Sequence, residues 1–266
     1  MIIIIKKEGF IMISDYEINI IVKVLEKKGI SLPSFKIDFI KRRIAIRMML
    51  TGCKNIIEYC KFLKENPEEA KNLLDSTFIN VSEFFRDPPL WRKLRDIIYN
   101  IKPLKIWSVG CACGEEPYSL AILLTEANIS NVKIIATDID EKALNFAIYG
   151  RYHQKSLINV PNYILNKYFQ KEKDNTFIIS DNLKKMIKFI KHDVMKDPLF
   201  VNCDIVLCRN VLIYFPKESQ NIIIEKLWYS LKKGGIFVIG MGEVLDNKWT
   251  SYFEPYDIKL RIYRKK

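Results

Sequence analysis

Residues 105–124, KIWSVGCACGEEPYSLAILL, constrain the fold of this chain more than any other stretch. Ile106 to Val109 reads as a buried strand, Gly110 to Gly114 as a tight turn, and the residues after Glu116 as an apolar helix. Glycines at both ends of the turn let a ligand approach the backbone and the helix N-terminus. Glu115 and Glu116 stand where a phosphate would have to sit, and no lysine of the P-loop type follows. The turn therefore suits a ligand that is cationic or rich in hydroxyls.

The same strand–helix alternation continues downstream. Strands are expected at 104–109, 132–137, 186–190, 204–208 and 236–240. Helices are expected at 117–127, 141–148 and from Lys217 to Leu231, the last closed by Gly234-Gly235. This pattern predicts an α/β fold: a Rossmann-like, mostly parallel sheet covered by helices, with an antiparallel edge strand at Leu260 to Arg264. Between Tyr149 and Ile187 the alternation stalls, which predicts an inserted antiparallel β-subdomain at about 150–186 containing a strand from Thr176 to Ser180.

The part before residue 86 reads differently. Ile18, Ile21, Val22 and Leu25 repeat at helical spacing, and further helices are expected at Phe35 to Leu50, Asn55 to Lys64 and Pro67 to Leu74. The expected organisation is a flexible lead at 1–13, an all-α domain at 14–85, and the sheet domain at 86–266. MIIIIKKEGFI has no basic region ahead of its isoleucines and too short an apolar core for a signal peptide, so the residues before Met12 are expected to be either a flexible lead or an upstream start, with Met1 and Met12 both open as the first residue.

Composition narrows the partners. The 43 basic and 31 acidic residues give a formal charge of +12, which favours an acidic partner, although part of the excess is ordinary solvated lysine. Between Lys36 and Lys64, eight basic residues face two acidic ones, and Lys36, Arg43 and Arg47 fall on one helix face. The six cysteines fit neither a zinc spacing nor a disulfide framework, so free thiols in a reducing cytoplasm are expected. With two histidines in the chain, no metal site is expected, and no apolar run reaches the roughly 18 residues of a membrane span.

Candidate ligand residues gather at the predicted strand ends. Asp138 lies 24 residues past Gly114, at the carboxyl end of the second strand, where ribose hydroxyls are bound in doubly wound sheets. Glu115 repels phosphate and attracts a cation. Among nucleoside cofactors S-adenosylmethionine fits best, having ribose, no phosphate and a cationic amino-acid end. Asp193 would meet the adenine edge, and Arg209-Asn210 emerge abruptly from the apolar strand CDIVLC, followed by Tyr214. A polar–aromatic block, FINVSEFFRDPPLW at 78–91, holds Asn80, Ser82, Glu83, Arg86 and Asp87. Its Pro88-Pro89 makes it read as a poor helix, with an aromatic hinge as the structural alternative.

NVSEFFRD, VGCACGEEPYSLAI, ATDID, CRNVLIYF and GGIFVIGMGE together resemble, in order and spacing, the chemotaxis receptor methyltransferases of the CheR family. The resemblance covers the chain from about residue 14 to its end. It implies S-adenosylmethionine-dependent methyl esterification of glutamates on the cytoplasmic helices of chemoreceptors. It implies cofactor contacts at Asn80, Ser82, Arg86, Glu115, Asp138, Asp193, Val194, Arg209 and Asn210, with Arg86 and Tyr214 near the transferred methyl. It also implies a basic docking face at Lys36, Arg43 and Arg47 for the acidic receptor helices. Four positions depart from the family pattern: Val81-Ser82 replaces Thr-Thr, Cys113 replaces Ser or Thr, Asp193 replaces Asn, and Met241-Gly242-Glu243 replaces His-Ser-Glu. After Tyr168-Phe169 the segment QKEKDNTFIIS is short and lacks glycine, which resembles members that act without a receptor tethering peptide. A monomer in the cytoplasm is expected. The competing readings are a methyltransferase acting on RNA and a non-catalytic cofactor-binding regulator.

Overall fold

The structure, a computed structural model, describes residues 13–266. Residues 1–12 of the expected lead at 1–13, and the choice between Met1 and Met12, lie outside the described residues. The chain divides into two compact units, one running up to Ile79 and including Tyr214–Pro216, the other comprising Asn80–Ile213 and Lys217–Lys266.

The first unit is built from α1 (Asp15–Glu26), α2 (Ile37–Thr51), α3 (Ile56–Glu65) and α4 (Pro67–Ser76). Ser14 and Glu17 form a reciprocal capping box at the start of α1, satisfying donors the helix leaves open. Gly52, at φ 74°, closes α2 in the left-handed conformation that its lack of a Cβ permits. Ile18, Ile21, Leu25, Ile44, Met48, Leu63 and Leu73 form the core. The segment 214–216 completes this unit. The Tyr214 carbonyl accepts the Lys36 N–H at 2.7 Å, and Phe35 packs its ring 5.1 Å from Phe215 and 5.9 Å from Tyr214.

The second unit opens with α5 (Pro88–Ile101), β1 (Lys105–Val109), α6 (Glu115–Glu126), β2 (Lys133–Asp138) and α7 (Glu141–Tyr149). A small insertion follows: β3 (Arg151–His153), α8 (Asn162–Tyr168), β4 (Phe169–Lys171) and β5 (Thr176–Ile179), with the strands forming an antiparallel sheet in the order β3-β5-β4. After the short α9 (Asp181–Lys184) come β6 (Ile187–Lys191), β7 (Cys203–Cys208), α10 (Lys217–Ser230), β8 (Leu231–Ile239), β9 (Phe253–Asp257) and β10 (Ile262–Lys265). The main sheet has the order β6-β2-β1-β7-β8-β10-β9. It is parallel through β8, and β10 and β9 add an antiparallel edge.

This is the expected Rossmann-like architecture with an all-α N-terminal part and an inserted β-subdomain. One element differs from the sequence reading, and one strand lies outside it. The block at 78–91 does not end in a break, because Pro88 and Pro89 occupy the first turn of α5, where a missing N–H costs nothing. Strand β9 carries Pro255 yet pairs with β10, because an edge strand tolerates a residue without a donor.

Candidate functional site

Parallel register brings the polar strand ends to one edge. Val109 lies opposite Thr137 on one side and Cys208 on the other, and Cys208 lies opposite Ile239. The residues that follow these positions, Gly110, Asp138, Arg209 and Gly240, therefore leave the sheet side by side. Asp193 follows the end of β6, which pairs with β2 through Asp138 and Lys191. The chain reverses its winding direction between β1 and β7, and crevices outside such a switch point are where open α/β sheets bind ligands.

The glycine turn takes its shape from close contacts. Gly110 sits at φ 67°, and a Cβ there would lie 2.4 Å from a methyl of Val211. Gly114 sits at φ 91°, and its Cβ would lie 2.8 Å from that of Ala147 and 3.1 Å from the Tyr152 hydroxyl. That hydroxyl donates to the Cys113 carbonyl at 2.7 Å, which fixes the turn from the insertion side. Burial, reinforced by Glu115, Asp140 and Asp138, pushes the Cys113 thiol up to about 12, so it is a neutral, weak donor at this departure from the family pattern.

Two carboxylates define the chemistry of the crevice. Asp138 accepts the Ala112 N–H at 2.8 Å through Oδ2 and the Asp140 N–H at 2.9 Å through Oδ1, the Ile139 N–H also bonds to this carboxylate, and acceptor capacity for a ligand donor remains among its four lone pairs. Burial raises its pKa, against the pull of these amides. Glu115 opens α6 and is buried, and its Oε2 has no hydrogen-bond partner among the described residues. Burial pushes its carboxyl up to about 7, opposed by its own backbone N–H and the Ser82 hydroxyl. A buried carboxylate oxygen without a donor is costly on its own, so this position fits a ligand that brings an N–H or a positive charge. Together the two acids suit a nucleoside with free hydroxyls and a cationic end, which is the chemistry of S-adenosylmethionine.

The loop before α5 is fixed by its neighbours. The Asn80 amide donates to Asp140 Oδ2 at 2.6 Å, a partner that the sequence reading did not single out. The Arg209 guanidinium is almost fully buried and gives Nη1 to Glu116 at 2.9 Å and Nη2 to Asp87 at 2.6 Å and to the Arg86 carbonyl at 3.0 Å. Glu116 also accepts the Ser108 hydroxyl at 2.8 Å. Arg209 is thus largely committed to holding the Arg86–Asp87 backbone, and its buried Nε has no partner among the described residues. The Arg86 guanidinium itself is half-buried and makes no ion pair or hydrogen bond among the described residues.

The remaining candidates stand in smaller settings. Asp193 caps its own turn, accepting the Met195 N–H at 2.9 Å, and Val194 beside it is buried. Asn210 sits at φ 59°, and its N–H donates to Glu243 at 3.1 Å. Tyr214 belongs to the helical unit, its ring 5.4 Å from that of Phe39.

Of the basic face, Lys36 is exposed and Arg43 lies 4.9 Å over the Phe39 ring. Arg47 departs from the expectation of a free docking cation. It forms a bidentate pair with the buried Glu69, at 2.9 Å and 2.5 Å, and Glu69 also accepts the Tyr59 hydroxyl at 2.8 Å. Helical spacing on α2 places Arg47 beside Arg43 but does not reveal an acid on α4. Among the described residues no group of three or more His, Cys, Asp or Glu could hold a metal ion, and no helix is long and apolar enough to cross a membrane.

Comparison with known proteins agrees with this geometry. Residues 80–262 match the family described as "CheR methyltransferase, SAM binding domain", and residues 19–77 match that described as "CheR methyltransferase, all-alpha domain". The chain is 34% identical over 270 residues to a protein of Borreliella burgdorferi named "Chemotaxis protein methyltransferase", a match spanning 94% of this chain and 95% of that one. A protein of the same name from Listeria monocytogenes is 31% identical over 226 residues, spanning 82% of this chain and 86% of that one.

Proposed function

The chain belongs to the CheR methyltransferase family, with S-adenosylmethionine as its cofactor, and from that premise we propose that it esterifies glutamate side chains on the cytoplasmic helices of chemoreceptors. The observation that carries this reading is the buried Oε2 of Glu115, without a donor among the described residues, on an acidic turn unsuited to phosphate whose Ala112 N–H donates to Asp138. Asp138 would hold the ribose hydroxyls and Glu115 the cationic end, with Asn80, Ser82, Asp193, Val194 and Asn210 completing the cofactor site. Arg209 would serve it chiefly by fixing the loop that carries Arg86.

Bound S-adenosylmethionine supplies a methyl group on a positively charged sulfur, which leaves with the bonding electrons as a neutral thioether. The acceptor, glutamate, has an ordinary pKa of about 4.3 and is already ionised at neutral pH, so the protein has no proton to remove. Its task is to align the carboxylate with the methyl and to exclude water. Arg86, a cation without a side-chain partner among the described residues, would orient the incoming carboxylate through its guanidinium. Tyr214, with an apolar ring and a hydroxyl, would stand on the substrate side. Lys36 and Arg43, which retain exposed or half-buried positive charge, would attract acidic receptor helices, acting in the cytoplasm and without a tethering peptide.

The test is incubation with cofactor tritiated in its methyl group, together with either a receptor cytoplasmic fragment or total RNA. Alkali-labile label on the receptor fragment is the expected result. Label on RNA, or binding without transfer, would replace the proposal with one of the competing readings. Arg86→Ala should lower transfer to the receptor at least about a hundredfold. Full activity in that variant would remove Arg86 from its role.

A further inference from the structure

Glu243 is a buried carboxylate that the proposed reaction does not use. It is 4% exposed and forms no ion pair among the described residues. Its partners are backbone amides from two chain segments. Oε2 accepts the N–H of Gly240 at 2.6 Å and that of Asn210 at 3.1 Å, while Oε1 accepts the N–H of Ile213 at 3.3 Å. The Leu212 N–H also bonds to this carboxylate, and together these amides oppose the upward push of burial on its pKa. Gly240 is required for the approach, because a Cβ there would lie 2.8 Å from both the Asn210 nitrogen and Glu243 Oε2.

A carboxylate is the one side-chain group that offers two oxygens and four lone pairs with no donor of its own. Converging backbone N–H groups can stabilise it without a cation. Here most of those groups belong to the loop that leaves the switch-point strand β7. That loop holds Asn210 in the left-handed region, at φ 59°, and Tyr214 follows Ile213 directly in the chain. Amides in such a loop have no sheet partner, so without Glu243 they would have to be satisfied by water or by a rearranged backbone.

We propose that Glu243 is a positioning residue for methyl transfer: by gathering the amides of Asn210, Leu212 and Ile213 it sets the conformation of the loop that presents Asn210 to the cofactor and leads into Tyr214. The proposal rests on the reading of Asn210 and Tyr214 given above. It assigns a role to the segment Met241-Gly242-Glu243, which departs from the family pattern at its first two residues and keeps the glutamate.

The experiment compares full-length wild type with Glu243→Gln and Glu243→Asp. The amide variant keeps the shape but turns one acceptor into a donor that faces N–H groups, and the shorter acid keeps the charge but withdraws it by one methylene. For Glu243→Gln the expected result is a melting temperature within a few degrees of wild type. Affinity for S-adenosylhomocysteine should fall at least tenfold and kcat at least a hundredfold, while KM for the receptor fragment changes less than threefold. Amide proton shifts of Asn210, Leu212 and Ile213 should move while those of β1 stay in place. Glu243→Asp should recover part of the lost affinity. A folded Glu243→Gln protein with wild-type affinity and unmoved loop amides overturns the proposal. So does failure of both variants to fold, which would make Glu243 a determinant of the fold rather than of the loop. If wild type binds S-adenosylhomocysteine but labels no receptor, the proposed substrate fails while the affinity and amide-shift comparison still decides the role of Glu243.

Discussion

At the scale of single residues, Glu115 makes the clearest commitment. Burial pushes its carboxyl from the ordinary glutamate range, about 4.3–4.5, up to about 7, so between these limits the folded protein holds a proton that the unfolded chain has released. Stability of the cofactor-free protein should therefore fall as pH rises from about 4.5 to about 7 and stay level above that, by about 3 kcal/mol in all. Glu115→Gln should remove the Glu115 share of this slope, seen as a flatter pH profile than wild type in urea melts taken across the range. Cofactor binding should show the opposite trend, because a cationic group beside Oε2 favours the ionised acid. Affinity should tighten about tenfold from pH 6 to pH 8, with proton release seen by calorimetry in buffers of different ionisation heat. Proton uptake, or a pH-independent affinity, would remove Glu115 from the cationic end of the site. Glu115 and Asp138 were legible as candidate site residues because the chain marks them with a glycine turn and a strand end. Asp140 and Glu243 carried no comparable signal. Their partners are the Asn80 side chain and loop amides far away in sequence, and no local spacing encodes such bonds.

At the scale of elements, period and punctuation account for most of what could be read. The strands β1, β2, β6 and β7 are short apolar runs bounded by turn residues, and they fall within a residue of the expected positions. Helix α5 escaped because Pro88-Pro89 reads as a break, yet Leu90, Trp91, Leu94, Ile97 and Ile98 give it a buried face. Its entry is set by Asp87, at φ 63°, whose carboxylate is held by Arg209 instead of capping the helix. The basic face of α2 was read as uniform, and the pairing of Arg47 with Glu69 divides it. Removing one partner of a buried pair leaves an uncompensated charge, so Arg47→Ala should destabilise the protein by about 3–5 kcal/mol in denaturant melts. Lys36→Ala, at an exposed position, should stay within about 0.5 kcal/mol. Equal melts for the two variants would return Arg47 to the solvated face.

At the scale of the whole molecule, each of the two compact units is assembled from two separate stretches of the chain. Besides packing on each other, Phe35 and Phe39 take further aromatic partners from Tyr214 and Phe215, which arrive only after β7. A fragment of residues 13–79 contains all four helices but lacks these rings and the carbonyl that accepts the Lys36 N–H. It should melt at a lower temperature than the same helices in the full chain, and adding a peptide of residues 212–217 should narrow that gap. A fragment as stable as the full chain would show the segment to be incidental. The segment also sets an order of events during synthesis. Its contacts join residues about 175 positions apart, and closing so long a loop delays folding relative to local contacts. The helical part emerges from the ribosome first, yet it waits for the switch-point strand of the other unit to be translated before its last aromatic contacts can close.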